Sequence, residues 1–314
     1  MKVEGRFRTG KINCLFINVN DISKKLFDGK KFDKNYKAFH FDSVEEELNT
    51  DFCKDNNIQY IIVEASSVRS ISQQLTHELV ASKFMGVKVF EIHDFYELVN
   101  QRVPLVKYNT NTYLADETLS LGNKTGYLFL KRFIDLLISI LLIPFALPLI
   151  LLGAVLIWIS SPGKVFFVQE RVGKNSKPFN IYKLRTMKLK HSGGYTEAKD
   201  SRVLKIGKWL RLTKIDELPQ ILNILKGDMS LIGPRPERPE FVRMANDENA
   251  YFDLRHIIKP GVTGWAQVHL PKATPKDNLK KLEYDLYYIK NMSIFLDVET
   301  LLKTVKVVVK MSGN

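Results

Sequence analysis

Two adjacent acids, Asp216 and Glu217, lie in Lys214-Ile-Asp-Glu-Leu-Pro-Gln220, after Arg211 and ahead of Gly233-Pro-Arg-Pro236. A carboxylate can act as a nucleophile on phosphorus, making an acyl phosphate that divides one hard transfer into two easier ones. The charge on a pyrophosphate then calls for a divalent cation and cationic side chains to spread it. Asp216 is the candidate nucleophile, and Glu217 is placed to orient metal or water or to handle a proton. Adjacent residues do not share a helix face, so only one of the two can point straight at a phosphorus. Pro219 suits a first-turn position, which puts the acids at a helix N-terminus, where backbone N–H groups favour anions. The plainer alternative is an acid pair that merely complements the helix dipole.

The neighbouring cations turn the balance towards chemistry. Arg235, between Pro234 and Pro236, offers a guanidinium on a stiffened backbone that can grip a phosphate with two hydrogen bonds. Lys183 and Arg185 alternate with Leu184 in a strand-like stretch, so they share a face and can look into one cleft with Arg211 and Arg235.

These residues follow a long apolar segment. From Leu136 to Gly163, 28 positions carry no charge. A straight helix of that length would reach about 42 Å, against about 30 Å of hydrocarbon. Pro144 and Pro148 each remove a backbone donor, so a kink or break into two half-helices is expected there. Basic residues flank both ends, Lys131 and Arg132 before and Lys164, Arg171, Lys174 and Lys177 after, which gives no preferred direction of crossing. The preferred reading is a re-entrant helix over about 131–162 that dips into one leaflet and returns, with an ordinary tilted span as the alternative. No signal peptide is read ahead of it.

Charge divides the chain. Residues 1–120 hold 16 Lys+Arg and 17 Asp+Glu, a net of −1, and residues 121–314 hold 31 and 17, a net of +14, which together make the chain's +13. The basic excess therefore belongs to the part with the apolar segment, where it suits anionic lipids and phosphorylated substrates. Nucleic acid is set aside as a partner, because no nucleic-acid motif accompanies the charge. Cys14 and Cys53 read as reduced thiols and not as a disulfide framework.

Within residues 1–120, Lys11–Val19, Ile58–Val63 and Val87–Ile92 read as strands. Ser70–Phe84 reads as a helix with Ser70 and Gln73 as a capping box and Gly86 as its stop. This βαβ rhythm predicts a small parallel sheet, an α/β Rossmann-like domain. The turn Asn18-Val-Asn-Asp-Ile-Ser23 lacks the glycines of a dinucleotide site, so no ligand is assigned, and a regulatory or assembly role is as good a reading. Residues 104–124 read as a linker.

Beyond the apolar segment, Val165–Gln169 and Phe179–Arg185 read as two strands joined by a turn, and Met187–Lys199, with Gly193-Gly194, as a loop. Helical spacing returns at Leu204–Leu212 and Leu218–Leu225, with Gly227 as a stop. Near the end, Ile294, Phe295, Val298, Leu301, Leu302, Val305, Val308 and Val309 fall at helical spacing opposite Lys303, Lys306 and Lys310, the pattern of an interfacial amphipathic helix or of a helix packed on the core.

Taken together, residues 128–311 resemble the bacterial sugar transferase family, the monotopic polyprenyl-phosphate glycosyl-1-phosphate transferases. The motifs carrying the resemblance are Lys131-Arg-Phe-Ile-Asp135, Phe179-Asn-Ile-Tyr-Lys-Leu-Arg-Thr-Met187, Asp216-Glu-Leu-Pro-Gln220, Gly227-Asp-Met-Ser-Leu-Ile-Gly-Pro-Arg-Pro236, Pro260-Gly-Val-Thr-Gly-Trp-Ala-Gln-Val268 and Tyr284-Asp-Leu-Tyr-Tyr288. The resemblance implies that the Asp at position 216 attacks the β-phosphate of a UDP-sugar, releases UMP and passes the phospho-sugar to undecaprenyl phosphate. It implies Glu217 as the partner acid, Mg2+ bridging Asp216 and the pyrophosphate, and Arg211 and Arg235 around the phosphates. Asp285, Arg255 and Lys259 are carried as further candidate site residues.

The expected architecture is thus a Rossmann-like domain over 1–120 and a mainly helical α+β, membrane-associated catalytic domain over 121–314. Its expected place is the cytoplasmic face of the bacterial inner membrane, at the first membrane step of surface-glycan synthesis; whether it forms a homodimer is left open. Larger members of the family begin with a four-helix membrane bundle, and none is read in this sequence. Leu147-Pro148 stands where Ser-Pro is frequent, Lys259 replaces an Arg, and His269-Leu-Pro-Lys272 replaces an Asn-Gly-Arg run. The competing expectation is a membrane-anchored scaffold without catalysis, and a third is transfer to another phosphorylated lipid.

Overall fold

The computed structural model describes residues 10–19, 27, 30–41, 50–64, 72–105, 124–189 and 200–312. Most of the expected linker and of the 187–199 loop, including Gly193-Gly194, lies outside these residues, as do Ser70 and most of the glycine-free turn after the first strand. The chain divides into two compact units, residues 1–104 and 105–314.

In the first unit the described elements are β1 (Ile12–Ile17), α1 (Lys30–Asn35), β2 (Tyr36–Phe41), α2 (Thr50–Asp55), β3 (Tyr60–Val63), α3 (Gln73–Phe84), β4 (Lys88–Glu91) and α4 (Ile92–Asn100). The four strands form one parallel sheet in the order β2-β1-β3-β4. Side-chain alternation along β1 sends Cys14 and Phe16 to one face and Leu15 and Ile17 to the other. Phe32, Phe95 and Val99 cover the first face, and Cys53 and Leu75 the second, so both faces are buried as parallel sheets require. The cap of α3 differs from the expected one: Ser72, not Ser70, accepts from the Leu75 N–H at 3.1 Å. Gly86 closes the helix at φ +91°, where a Cβ would be strained.

The second unit begins with α5 (Thr125–Ser160), one 36-residue helix. The expected division into two half-helices does not occur, because helical backbone continues through Pro144 and Pro148. Each proline deletes a single N–H, and the bonds of the flanking turns carry the helix across. The residues before and after the prolines are tied to the same unit. Towards its N-terminus, Lys131 Nζ meets Asp297 Oδ2 at 3.0 Å, Arg132 Nη1 donates to the Ile224 carbonyl at 2.6 Å, and Asp135 Oδ1 accepts from the Leu231 N–H at 3.1 Å. Towards its C-terminus, Ile157 packs in a cluster with Leu184 and Leu210. Between them Leu137, Ile140, Leu141, Phe145, Leu151 and Leu152 are exposed.

The rest of the unit comprises β5 (Phe166–Val172), β6 (Pro178–Leu184), α6 (Lys205–Leu212), a 3-10 helix (Ile215–Gln220) running into α7 (Ile221–Lys226), β7 (Ser230–Ile232), α8 (Pro239–Glu248), a 3-10 helix (Phe252–Ile257), β8 (Gly261–Thr263), α9 (Trp265–His269), α10 (Asn278–Lys290) and α11 (Ile294–Ser312). β5 and β6 form an antiparallel hairpin, with Phe167 opposite Lys183, and β7 pairs in parallel with β8. α11 buries Leu296 and Thr300 and exposes Phe295, Val298, Leu302, Val305 and Val309. The sequence allowed either a packed or an interfacial helix; one face is packed and the other is an exposed apolar stripe.

Candidate active site

Asp216 and Glu217 sit in the first turn of the Ile215–Gln220 3-10 helix, which Lys214 enters in the left-handed conformation at φ 60°. That helix packs on β6 and α6, which bring Lys183 and Arg211 to it. Lys183 Nζ donates to Glu217 Oε1 at 2.7 Å, and Arg235 Nη2 donates to the same oxygen at 3.0 Å. Burial alone would push the Glu217 carboxyl up, but Lys183, Arg235 and Lys214 outweigh it and hold it well below the usual carboxylate range. Glu217 is therefore ionised and already engaged.

Asp216 differs from its neighbour. It is 8 % exposed and lines the cavity, yet its carboxylate accepts no hydrogen bond among the described residues. Burial, and then the Glu217 charge, push it up to about 6, with Lys183, Lys214 and Arg211 pulling the other way. The pair is thus divided into a carboxylate locked between cations and one with its lone pairs unclaimed.

Close backbone approach sets these positions. A Cβ on Gly207 would lie 2.3 Å from the Thr186 carbonyl oxygen, so only glycine lets α6 press against the end of β6. This contact lets Arg211 Nε donate to Thr186 Oγ1 at 2.8 Å. Arg235 is fixed similarly: Gly261 N–H donates to the Pro234 carbonyl at 2.9 Å, and a Cβ on Gly261 would sit 2.1 Å from Gly233 N.

The remaining candidates are placed apart. Arg185 lines the cavity, but its guanidinium is turned to the Ser161 carbonyl beyond α5 and not to the acids. Arg255 is 1 % exposed, pairs with Asp285 at 2.8 Å and donates to the Arg235 carbonyl at 3.0 Å. Asp285 thus stands behind Arg255. Lys259 is not part of the lining; its Nζ faces the Gly227 turn beside Arg132. Pro144 and Pro148 lie within α5.

The cavity measures about 1160 Å³, and twelve of its lining residues are Lys or Arg against three Asp or Glu. So strong an excess in a cleft suits phosphates. Thr186, Glu237, Arg238 and Lys281, which the sequence reading does not single out, also line it, as does Arg171, read there only as a basic flank of the apolar segment. Spacing gave no sign of Lys281, which α10 supplies from a distant part of the chain; Glu237 and Arg238, directly after Pro-Arg-Pro, carried the one available signal.

Among the described residues no three His, Cys, Asp or Glu cluster as a metal cage. Mg2+ usually takes one or two carboxylates together with waters and substrate phosphates. The unclaimed Asp216 oxygens fit that mode, and Glu217, already holding two cations, offers less.

The fold thus sets a long, exposed apolar helix beside a cavity rich in Lys and Arg around an acid pair. The chain belongs to the bacterial sugar transferase family, whose description matches residues 126–311. A UDP-N-acetylgalactosamine-undecaprenyl-phosphate N-acetylgalactosaminephosphotransferase of Aeromonas hydrophila is 42% identical over 226 residues, covering 71% of this chain and 52% of that one. A UDP-glucose:undecaprenyl-phosphate glucose-1-phosphate transferase of Escherichia coli (strain K12) is 33% identical over 239 residues, covering 74% and 50%. An uncharacterised sugar transferase of Bacillus subtilis (strain 168) is 40% identical over 187 residues, covering 59% of this chain and 90% of that protein. The chain thus spans about half the length of the first two.

Proposed function

We propose that this protein transfers a sugar 1-phosphate from a UDP-sugar to undecaprenyl phosphate at the cytoplasmic face of the bacterial inner membrane, releasing UMP. The observation that carries the reading is the divided acid pair: Asp216 with unclaimed oxygens in a cation-lined cavity, beside Glu217 clamped by Lys183 and Arg235. The names of the relatives point to the same pair of substrates.

In this mechanism an Asp216 carboxylate oxygen bonds to the β-phosphorus while the bond from that phosphorus to the bridging oxygen breaks, and UMP leaves. A phosphate oxygen of the lipid then attacks the same phosphorus, and the carboxylate departs. Glu217 stays ionised and keeps Lys183 and Arg235 at fixed positions around the transferred group. Arg211, held by Thr186, adds positive charge near Asp216. Mg2+, held by Asp216 and the phosphates, would supply charge neutralisation on the pyrophosphate.

The membrane reading is monotopic, with α5 dipping into one leaflet. What supports it is that both shoulders of α5 are bonded or packed to one unit, while its middle exposes large apolar side chains. The exposed stripe of α11 is proposed to lie along the same interface.

The test is UMP release by the purified protein with Mg2+, undecaprenyl phosphate and a panel of UDP-sugars. Release by the wild type and its loss in Asp216→Asn are expected. Liposome binding with no UMP release would instead favour the scaffold, and wild-type turnover by Asp216→Asn would remove the nucleophile assignment.

A further inference from the structure

One end of the cavity holds more guanidinium N–H groups than its acceptors satisfy. Arg171, Arg235, Arg238, Arg255 and Lys281 line it, with Glu237 as the acid of that lining. Lys281 pairs with Glu237 at 3.1 Å, Arg238 with Glu240 at 3.2 Å and Arg255 with Asp285 at 2.8 Å. Arg171 has no carboxylate partner among the described residues; Nη1 donates to the Pro236 carbonyl at 3.2 Å and Nη2 to Gln169 Oε1 at 2.8 Å. The Nε–H of Arg171 and the Nε–H and Nη1–H of Arg255 are buried without an acceptor among the described residues. A buried donor in that condition pays desolvation with nothing in return, so such groups mark a place where an acceptor is meant to arrive.

The arrangement is built and not incidental. Arg255 is 1 % exposed and fixed on two sides by Asp285 and the Arg235 carbonyl. Burial, with the charges of Arg235 and Arg238 added, pushes Arg171 down to about 10, against the opposing pull of Glu237 and Glu217. The part of the lining around Arg185 also holds buried donors without an acceptor among the described residues, the Nε–H and Nη1–H of Arg185, but apolar side chains line it as well. Leu142 of α5, Phe166 and Leu189 line it together with Arg185, whose guanidinium reaches the Ser161 carbonyl. That apolar side suits an oily ligand, and the arginine-rich end a water-soluble anionic one.

We infer that Arg171 and Arg255 form a second oxyanion seat, which binds the phosphate that departs with the nucleoside while Asp216 faces the phosphorus that is transferred. This rests on the transferase reading and adds a direction to it: the donor lies with its nucleotide towards Arg171, and the lipid phosphate approaches from the Arg185 end. Arg171 and Arg255 then act on the leaving group and not on the acceptor.

Calorimetric titration of the full-length protein in nanodiscs, with UMP and separately with a short-chain isoprenyl phosphate, tests the assignment. Arg171→Gln should weaken UMP binding by about tenfold or more, the loss of one charge-assisted hydrogen bond, and Arg171→Lys should restore part of it. Affinity for the isoprenyl phosphate should stay at the wild-type value in both. Unchanged UMP affinity in Arg171→Gln, or a loss confined to the isoprenyl phosphate, would overturn the seat, as would a wild type that binds no UMP. The transferase reading fails separately, if the wild type binds UMP normally yet releases none from any UDP-sugar.

Discussion

Replacing Glu217 with Gln is the most direct probe of the clamp. The substitution keeps the shape of the side chain and removes the charge that Lys183 and Arg235 share. Lys183 is then the group at risk, since its side chain is 16 % exposed, burial already pushes its ammonium below the ordinary range, and Glu217 is its ion-pair partner. Breaking a fully buried pair costs roughly 3–5 kcal/mol. Arg235, at 42 % exposure, can turn to solvent, so the cost here falls to about 2–3 kcal/mol. For a unit of this size that corresponds to a fall in Tm of about 5–10 °C. The three tryptophans, Trp158, Trp209 and Trp265, all lie in the second unit, so intrinsic fluorescence reports its melting selectively. In the Lys183→Met background the penalty should shrink, and a double-mutant cycle should return about 1–3 kcal/mol of coupling. A Tm within about 1 °C of wild type for Glu217→Gln would mean that the clamp carries no net energy and that this reasoning about Lys183 is wrong.

Two further outcomes follow. His256 is buried against Asp253, and burial with the Arg255 charge pushes it down to about 4. The unfolded chain takes up its proton near 6.5 and the folded unit does not, so stability falls as pH drops from about 6.5 towards 4, by about 3 kcal/mol in all. Asp285, pushed up to about 6 by burial, works in the opposite sense, gaining stability as pH falls through 6. The measurement is therefore a difference: urea denaturation of wild type should lose more stability over that window than His256→Leu, and identical pH slopes would refute it. Gly207→Ala places a Cβ 2.3 Å from the Thr186 carbonyl, so α6 must move and Arg211 with it. The expected cost is about 1–3 kcal/mol with slower UMP release, and a variant as stable and active as wild type would show that α6 does not need the close contact.

Much of this architecture was legible because local chemistry and long-range packing agree. β-branched strand patterns located β1, β3 and β4, and Gly86 and Gly227 end helices where their left-handed φ is needed. Alternation along β6 put Lys183 and Arg185 on one face, and both line the cavity, but only Lys183 reaches the acids; Arg185, one residue past the strand, is drawn to a helix-end carbonyl. Of the kink or break read from the prolines of α5, the break does not occur: two missing N–H groups do not end a helix whose other bonds persist. Arg171 and Lys281 stayed invisible because what brings them to the cavity is the packing of the hairpin and α10, not any local pattern.

Leu142, which lines the cavity, and Ile157, which sits in the core with Leu184 and Leu210, both belong to α5. The exposed apolar helix and the cavity are therefore one piece. Excising residues 125–160 to obtain a detergent-free enzyme would open the chamber and strip a core cluster at once, so solubility has to come from the surroundings, a nanodisc or a detergent belt, and not from truncation.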